Sequence, residues 1–260
     1  MHWIHRNGLR YLQFPSLAGI PGVFHGIFLR QGQQRNGDLR SQNMGLACGE
    51  SSARVWRNRR RVGALFNDAA LVFAKQVHGT DVAVWSGNGN VPADGECYQT
   101  ILGDALMTAH TGQALFIQVA DCQPVLLVDP VRRVVANVHS GWRGSIGNIL
   151  GCTIAKMVDR FHSRPDQIRC GLGPSLGPCC AEFVNYRNEI PGDYWPYRGA
   201  DDRFDFWRIS VDQLLAAGLR REHIEISNIC TRCNQHLFYS YRGERHTGRF
   251  AAVVGLCADK

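Results

Sequence analysis

The stretch "VADCQPVLLVDPVRRVVANVHSGWRG", residues 119–144, decides how the chain is read. Two apolar, β-branched runs, "PVLLV" and "RVVANV", sit on either side of a "DP" turn signal and read as strands. Cys122 stands just before the first run and His139 ends the second. A thiol and an imidazole at the border of what should be the driest part of the chain ask for a chemical explanation.

Working outward, "LVFAKQV", "VAVW" and "ALFIQVA" are further strand-like runs upstream, with "HGTD" as a turn. Pro124 and Pro130 fall between or beside strands, where a ladder loses least. Downstream, "GSIGNILGCTIAKMVDRF" predicts one helix with Ile146, Leu150, Ile154, Met157 and Phe161 on one side. "QIRCGLGP" reads as a short strand entering a Gly/Pro turn, and "VDQLLAAGL" as a helix stopped at Gly218. "HIEIS" and "RFAAVVGL" complete the strands. Near the N-terminus, "SSARVWRNRRRVGALF" predicts a helix capped by Ser51 or Ser52, with Val55, Val62, Leu65 and Phe66 at helical spacing. "GQQRNGDLRSQNMG" before it reads as a polar loop. Strands outnumber helices and do not alternate with them. The expectation is an α+β fold, a mixed β-sheet sandwich with flanking helices. No repeat, low-complexity tract or linker divides residues 1–260, so a single domain is expected.

Of the 260 residues, 45% are hydrophobic and 20% charged, an ordinary globular balance. No run is long and apolar enough to span a membrane. Gln13, Pro15, Gly19, Pro21 and Gly22 interrupt the N-terminal segment, which argues against a signal peptide. A cytoplasmic location follows, and there the ten cysteines should be reduced, as buried hydrophobes or as metal-binding or catalytic groups. The net charge of +7 favours anionic partners. Part of it is the arginine-rich "RVWRNRRRV", either a solvated helix face or an anion-binding wall. The aromatics lie inside apolar runs rather than among the arginines, so a nucleic acid is not the expected partner.

His78, Cys122 and His139 each follow or end an apolar strand. If those strands share a sheet, the three converge. Two imidazoles and one thiolate suit Zn²⁺ or copper, and three protein ligands leave a fourth position open, as in catalytic zinc sites. One thiolate leaves the ion with net positive charge, so it stays a Lewis acid. A rival site is "CTRCNQH", with Cys230, Cys233 and His236 close together and a further ligand from Cys179 or Cys180. A third option makes Cys122 a nucleophile, His139 its base and Asp121 an orienting group.

"KQVHGTDV", "ADCQPVLLVDP", "NVHSGWRG", "GPSLGPCC" and "LFYSYRGERHTGR" occur in this order. Together they resemble the YfiH-like family, also known as laccase-like multicopper polyphenol oxidases and associated with purine nucleoside phosphorolysis and adenosine deamination. The resemblance spans nearly the whole chain. It implies a zinc site made of His78, Cys122 and His139, and it assigns no metal role to Cys230 and Cys233. It also matches Asn43, Asn58, Arg59, Arg143 and Arg249, and implies that the first four lie near the site or its rim. Arg143, which follows the His139 strand and opens a helix, is the first candidate for gripping phosphate through paired hydrogen bonds, and Arg59 the second. Asn43 either orients a ribose hydroxyl or a water or shapes its own loop.

The expected enzyme is a zinc-dependent purine nucleoside phosphorylase acting on adenosine, inosine, guanosine or methylthioadenosine, with hydrolytic deamination of adenosine as a second activity. Its partners are then a small nucleoside and phosphate. Zinc deaminases use a glutamate as proton shuttle, and no motif here supplies one. Two alternatives come with the resemblance: an amidase removing L-Ser from UDP-MurNAc-L-Ser, a peptidoglycan precursor, and a copper-dependent polyphenol oxidase.

Overall fold

A computed structural model describes residues 1–33, 39–46, 48–87 and 98–257. Seven strands form one mixed sheet. In order across it they are β1 (His2–Arg6), β2 (Leu9–Gln13), β3 (Val23–Phe28), β15 (Phe250–Leu256), β10 (Gln113–Val119), β6 (Ala70–Lys75) and β8 (Tyr98–Leu102). A six-stranded sheet runs β14 (Ile224–Ile226), β13 (Arg169–Leu172), β11 (Gln123–Asp129), β12 (Val134–Ser140), β9 (Ala105–Thr108) and β7 (Val82–Val84). The two face each other, as the α+β sandwich expectation requires. A two-stranded ribbon, β4 (Gln31–Gln33) with β5 (Leu39–Ser41), occupies the segment read as a polar loop.

The central strands of both sheets are covered on both faces, which is why they read as near-continuous apolar runs, while the edge strand β1 is exposed. Along β10, Leu115, Ile117 and Val119 point into the inter-sheet core and meet Leu126, Val128 and Val135 of the other sheet. The alternate residues, Ala114 and Phe116, pack with Val62 and Leu65 of the helix Ser52–Leu65. On the far side of the second sheet, Val125, Leu127 and Val138 pack against Leu150, Ile154 and Met157 of the helix Ile149–Phe161, and against Leu214 of the helix Phe206–Ala216. The result is four layers, helix–sheet–sheet–helix. Burying a side chain such as Phe116 contributes about 1.5–3 kcal/mol. Among the described residues no helix is long and apolar enough to cross a membrane.

The buried polar side chain of Asn137 ties the sheets together. From β12 its amide donates to the carbonyls of Leu115, at 2.9 Å, and Ala252, at 2.8 Å.

The structure corrects two local expectations. The single helix expected after residue 144 is two, Trp142–Ile146 and Ile149–Phe161. The break is at Asn148, which takes the left-handed conformation (φ 58°) and caps the second helix by accepting from the Gly151 N–H. Pro124 lies inside β11, not beside it, opposite His139. Having no N–H, it contributes only its carbonyl, which accepts from Gly173 at 2.8 Å.

Candidate metal centre

His78 follows β6, Cys122 lies in the passage from β10 to β11, and His139 is the penultimate residue of β12. They do not share one sheet. β6 and β10 run parallel within the first sheet, and β12 belongs to the second. The chain turns back between β10 and β11, and β12 is antiparallel to β11. So β12 runs in the same sense as β10, and all three residues arrive at one mouth of the sandwich. One ligand atom from each lies within 4.8 Å of the others. The two imidazole rings stand edge to face, with centroids 4.9 Å apart.

Asp104, just before β9, holds this arrangement and was missed in the sequence. It is fully buried. Its carboxylate accepts from the backbone N–H groups of Val77 (3.2 Å), His78 (2.9 Å) and Gly79 (2.7 Å), and from His139 Nδ1 (2.7 Å). Its carbonyl accepts from the His139 N–H at 2.7 Å. His78 itself sits at φ 62°, a left-handed position that this cradle stabilises. With Nδ1 of His139 donating to Asp104, Nε2 is left to coordinate. A carboxylate behind a histidine in this way is the usual support of a metal ligand. A lone Asp before a strand carries no sequence motif, and only the fold brings it behind two histidines.

Gly141 closes the floor. A Cβ there would come within 3.1 Å of His78 and 3.4 Å of the Cys122 sulfur. The glycine of "SGWRG" therefore gives the ligands their room.

Burial opposes charge on Cys122, but His139 and His78 outweigh it and bring the thiol well below its ordinary range. Burial likewise opposes charge on His139, and the Cys122 thiolate and Asp104 push its pKa up. Asp104, despite burial, is held low by its bonds from His139, Gly79 and His78. A thiolate, an oriented imidazole and a second imidazole at this spacing fit one metal ion.

The centre opens into a cavity of about 700 Å³. Trp142, Phe183, Phe206 and Tyr241 give it aromatic walls, and Arg143, Arg242 and Arg249 give it positive charge. Arg143 is exposed and lies 4.2 Å over the Trp142 ring. Arg59 is elsewhere: buried under Trp56 and over Phe73, it donates through Nε and Nη2 to the Met44 carbonyl and through Nη2 to Gln118. Asn43 is also buried. Its Oδ1 accepts from the N–H groups of Gly45 and Arg249, and its Nδ2 donates to the Gly45 carbonyl. It orders the loop that carries Gly45 and Leu46 to the cavity edge. Asn58 donates to the Asn43 carbonyl and so supports the same loop.

Asp121 lines the cavity, but its carboxylate accepts from Thr231 Oγ1 and from the Arg242 N–H, both at 2.6 Å. Cys230 and Cys233 are not part of this centre. They gather with both Cys179 and Cys180, without His236.

Residues 24–257 match the family described as "Multi-copper polyphenol oxidoreductase laccase". The chain belongs to this family. Relatives within the range of this family fold bear a different name. The chain is 33% identical over 258 residues to "Purine nucleoside phosphorylase YlmD" of Geobacillus stearothermophilus, covering 90% of each protein. It is 30% identical to "Purine nucleoside phosphorylase YfiH" of Escherichia coli, covering 83% of this chain and 86% of that one. The crystal structure of YlmD from Geobacillus stearothermophilus superposes with a TM-score of 0.81 at 31% identity, over 98% of this chain and 99% of that one. YfiH of Bacillus licheniformis gives the same TM-score at 26% identity, over 96% and 97%. The mixed sandwich is thus a fold of the family, and the His78–Cys122–His139 mouth lies within its matched span.

Proposed function

We propose that the protein is a zinc-dependent purine nucleoside phosphorylase whose ion is held by His78, Cys122 and His139. The observation that carries this reading is the meeting of those three donors at the foot of a cavity with aromatic walls and an arginine rim. The names of the relatives, purine nucleoside phosphorylases, support it from outside.

When bound, zinc supplies a Lewis acid with a coordination position that the protein leaves free. The chain's own residues do the rest. Asp104 fixes the tautomer and direction of His139 and sets the loop that carries His78. The aromatic wall offers rings against which a purine stacks. Arg143, exposed on the cavity lining, holds phosphate against the ribose. Phosphorolysis then forms a bond from a phosphate oxygen to C1′ as the C1′–N9 bond breaks, and the electron pair leaves with the purine. Holding both reactants in one cavity makes this encounter intramolecular.

Adenosine deamination is a further activity of the same cavity in this reading, but it needs a free carboxylate to move protons. Asp121 is the acidic group among the described lining residues, and its oxygens are engaged by Thr231 and Arg242. That favours phosphorolysis as the main reaction.

The test is base release from inosine and adenosine, followed by chromatography with and without phosphate, for the wild type and Cys122→Ala. Phosphate-dependent release of hypoxanthine and adenine, abolished in the variant, is expected. Equal turnover in Cys122→Ala, or release indifferent to phosphate, would overturn the proposal. Parallel incubation with UDP-MurNAc-L-Ser and with a phenol in air tests the amidase and oxidase alternatives.

A further inference from the structure

The C-x-x-C motif finds its partners on a neighbouring loop. Cys179 and Cys180 lie in the turn after "GPSLGP", and Cys230 and Cys233 in the turn after β14. The four sulfurs all lie within 4.8 Å of one another. Cys233 Sγ is 3.6 Å from the sulfur of Cys179 and equally 3.6 Å from that of Cys180. We infer that these four cysteines form a second metal site, a closed tetrathiolate centre for a zinc ion.

Three observations carry this. In a tetrahedral Zn–S₄ site with bonds of about 2.3 Å, the sulfurs are about 3.8 Å apart. The two 3.6 Å spacings lie close to that value and the remaining pairs stay within 4.8 Å, so an ion needs only small side-chain movement. Disulfides do not explain the geometry as well. A disulfide needs about 2.05 Å between two chosen sulfurs, whereas Cys233 has two equidistant neighbours and the fourth thiol joins the same group. Finally, Cys230 Sγ accepts from the Gly177 N–H at 3.3 Å. A backbone donor aimed at a sulfur stabilises it as a thiolate, the ligating form.

The site is structural, not catalytic. Four thiolates fill the coordination sphere and leave the ion with net negative charge, so neither substrate nor water gains a seat. What it does is clamp two loops that have little secondary structure of their own. Between them run backbone bonds from Ser175 to Ile229 (3.2 Å) and from Thr231 to Ser175 (3.0 Å). Ser175 and Leu176 line the main cavity. Thr231 reaches Asp121, the neighbour of Cys122, and Leu176 donates to the Asp121 carbonyl at 2.8 Å. The clamp therefore braces one wall of the cavity and the passage that presents Cys122.

Metal content of the full chain, purified under reductant without chelator, tests this. Two zinc equivalents per chain are expected in the wild type, one in His78→Ala/Cys122→Ala, and one in Cys179→Ser/Cys233→Ser. If the second variant does not fold, cobalt decides. His78→Ala/Cys122→Ala reconstituted with Co²⁺ should show intense thiolate-to-cobalt charge transfer of a four-thiolate ion, and Cys179, Cys180, Cys230 and Cys233 should resist alkylation until the metal is stripped. A metal-free His78→Ala/Cys122→Ala with no such band overturns the inference. So does a Cys179–Cys233 or Cys180–Cys233 disulfide found by mass spectrometry in freshly purified protein.

Discussion

A single oxygen of Asp104 spaces two ligands, accepting from His139 Nδ1 at 2.7 Å and from the His78 backbone N–H at 2.9 Å. Its second oxygen takes the N–H groups of Val77 and Gly79. The side chain thus shapes the candidate metal centre only through others.

Asp104→Asn tests that role. The amide keeps one acceptor oxygen but turns an NH₂ toward two backbone donors. The loop of His78 should loosen, and metal affinity should fall about 10–100-fold, the range seen for such supporting carboxylates. Competition with a chromophoric chelator measures it. Unchanged affinity would mean that the carboxylate serves folding alone.

Gly141→Ala separates the site from the fold. The backbone there is ordinary extended chain (φ −73°), so alanine fits the conformation. Its methyl group meets His78 and the Cys122 sulfur instead. Metal content should drop while the melting temperature of the metal-free protein stays within a few degrees of wild type. A large fall in the metal-free melting temperature would contradict this.

The two arginines singled out in the sequence should behave oppositely. Arg143→Ala should raise the KM for phosphate about tenfold or more, as expected for loss of a charged hydrogen bond of about 1.5–3 kcal/mol, with little change in stability. Arg59→Leu should cost about 2–4 kcal/mol of stability, because it leaves the buried Met44 carbonyl unpaired and removes the bond to Gln118 at the cavity wall. The phosphate KM of the folded Arg59 variant should not move. Phosphate kinetics and urea melts on both variants check this.

His25 makes stability depend on pH. It is fully buried, its Nε2 accepts from the Phe14 N–H at 2.9 Å, and burial lowers its pKa to about 4. The unfolded chain binds that proton near pH 6.5, so the stabilisation is complete above 6.5 and is lost as pH falls toward 4. Over that window it amounts to about 3 kcal/mol. Urea melts should show this slope in the wild type, and a lower but flatter profile in His25→Leu. Parallel profiles would rule out His25 as the source.

The central strands were legible in the sequence because both their faces are covered, which turns β10, β11 and β12 into unbroken apolar runs. The three candidate donors were legible because strand-end histidines and cysteines stand out there. Their meeting place was not. Convergence across two sheets depends on the return of the chain between β10 and β11, which spacing does not encode. Arg59 read as a second phosphate-gripping candidate because it sits among five arginines on one helix and matches a family position. It is the one whose face turns toward Phe73, a distinction of rotation about the helix axis. Asn148 was hidden for a similar reason: one polar residue inside an amphipathic pattern, with the cap formed only by its left-handed backbone. Asp104 had no pattern at all.

Because the donors of the main centre come from opposite sheets, no short peptide of this chain contains the site. Assembly must bring the two halves of the sandwich together before an ion can be caught. The three donors therefore face one another only once both sheets have docked, so local pairing of β11 with β12 places Cys122 and His139 together before His78 joins them.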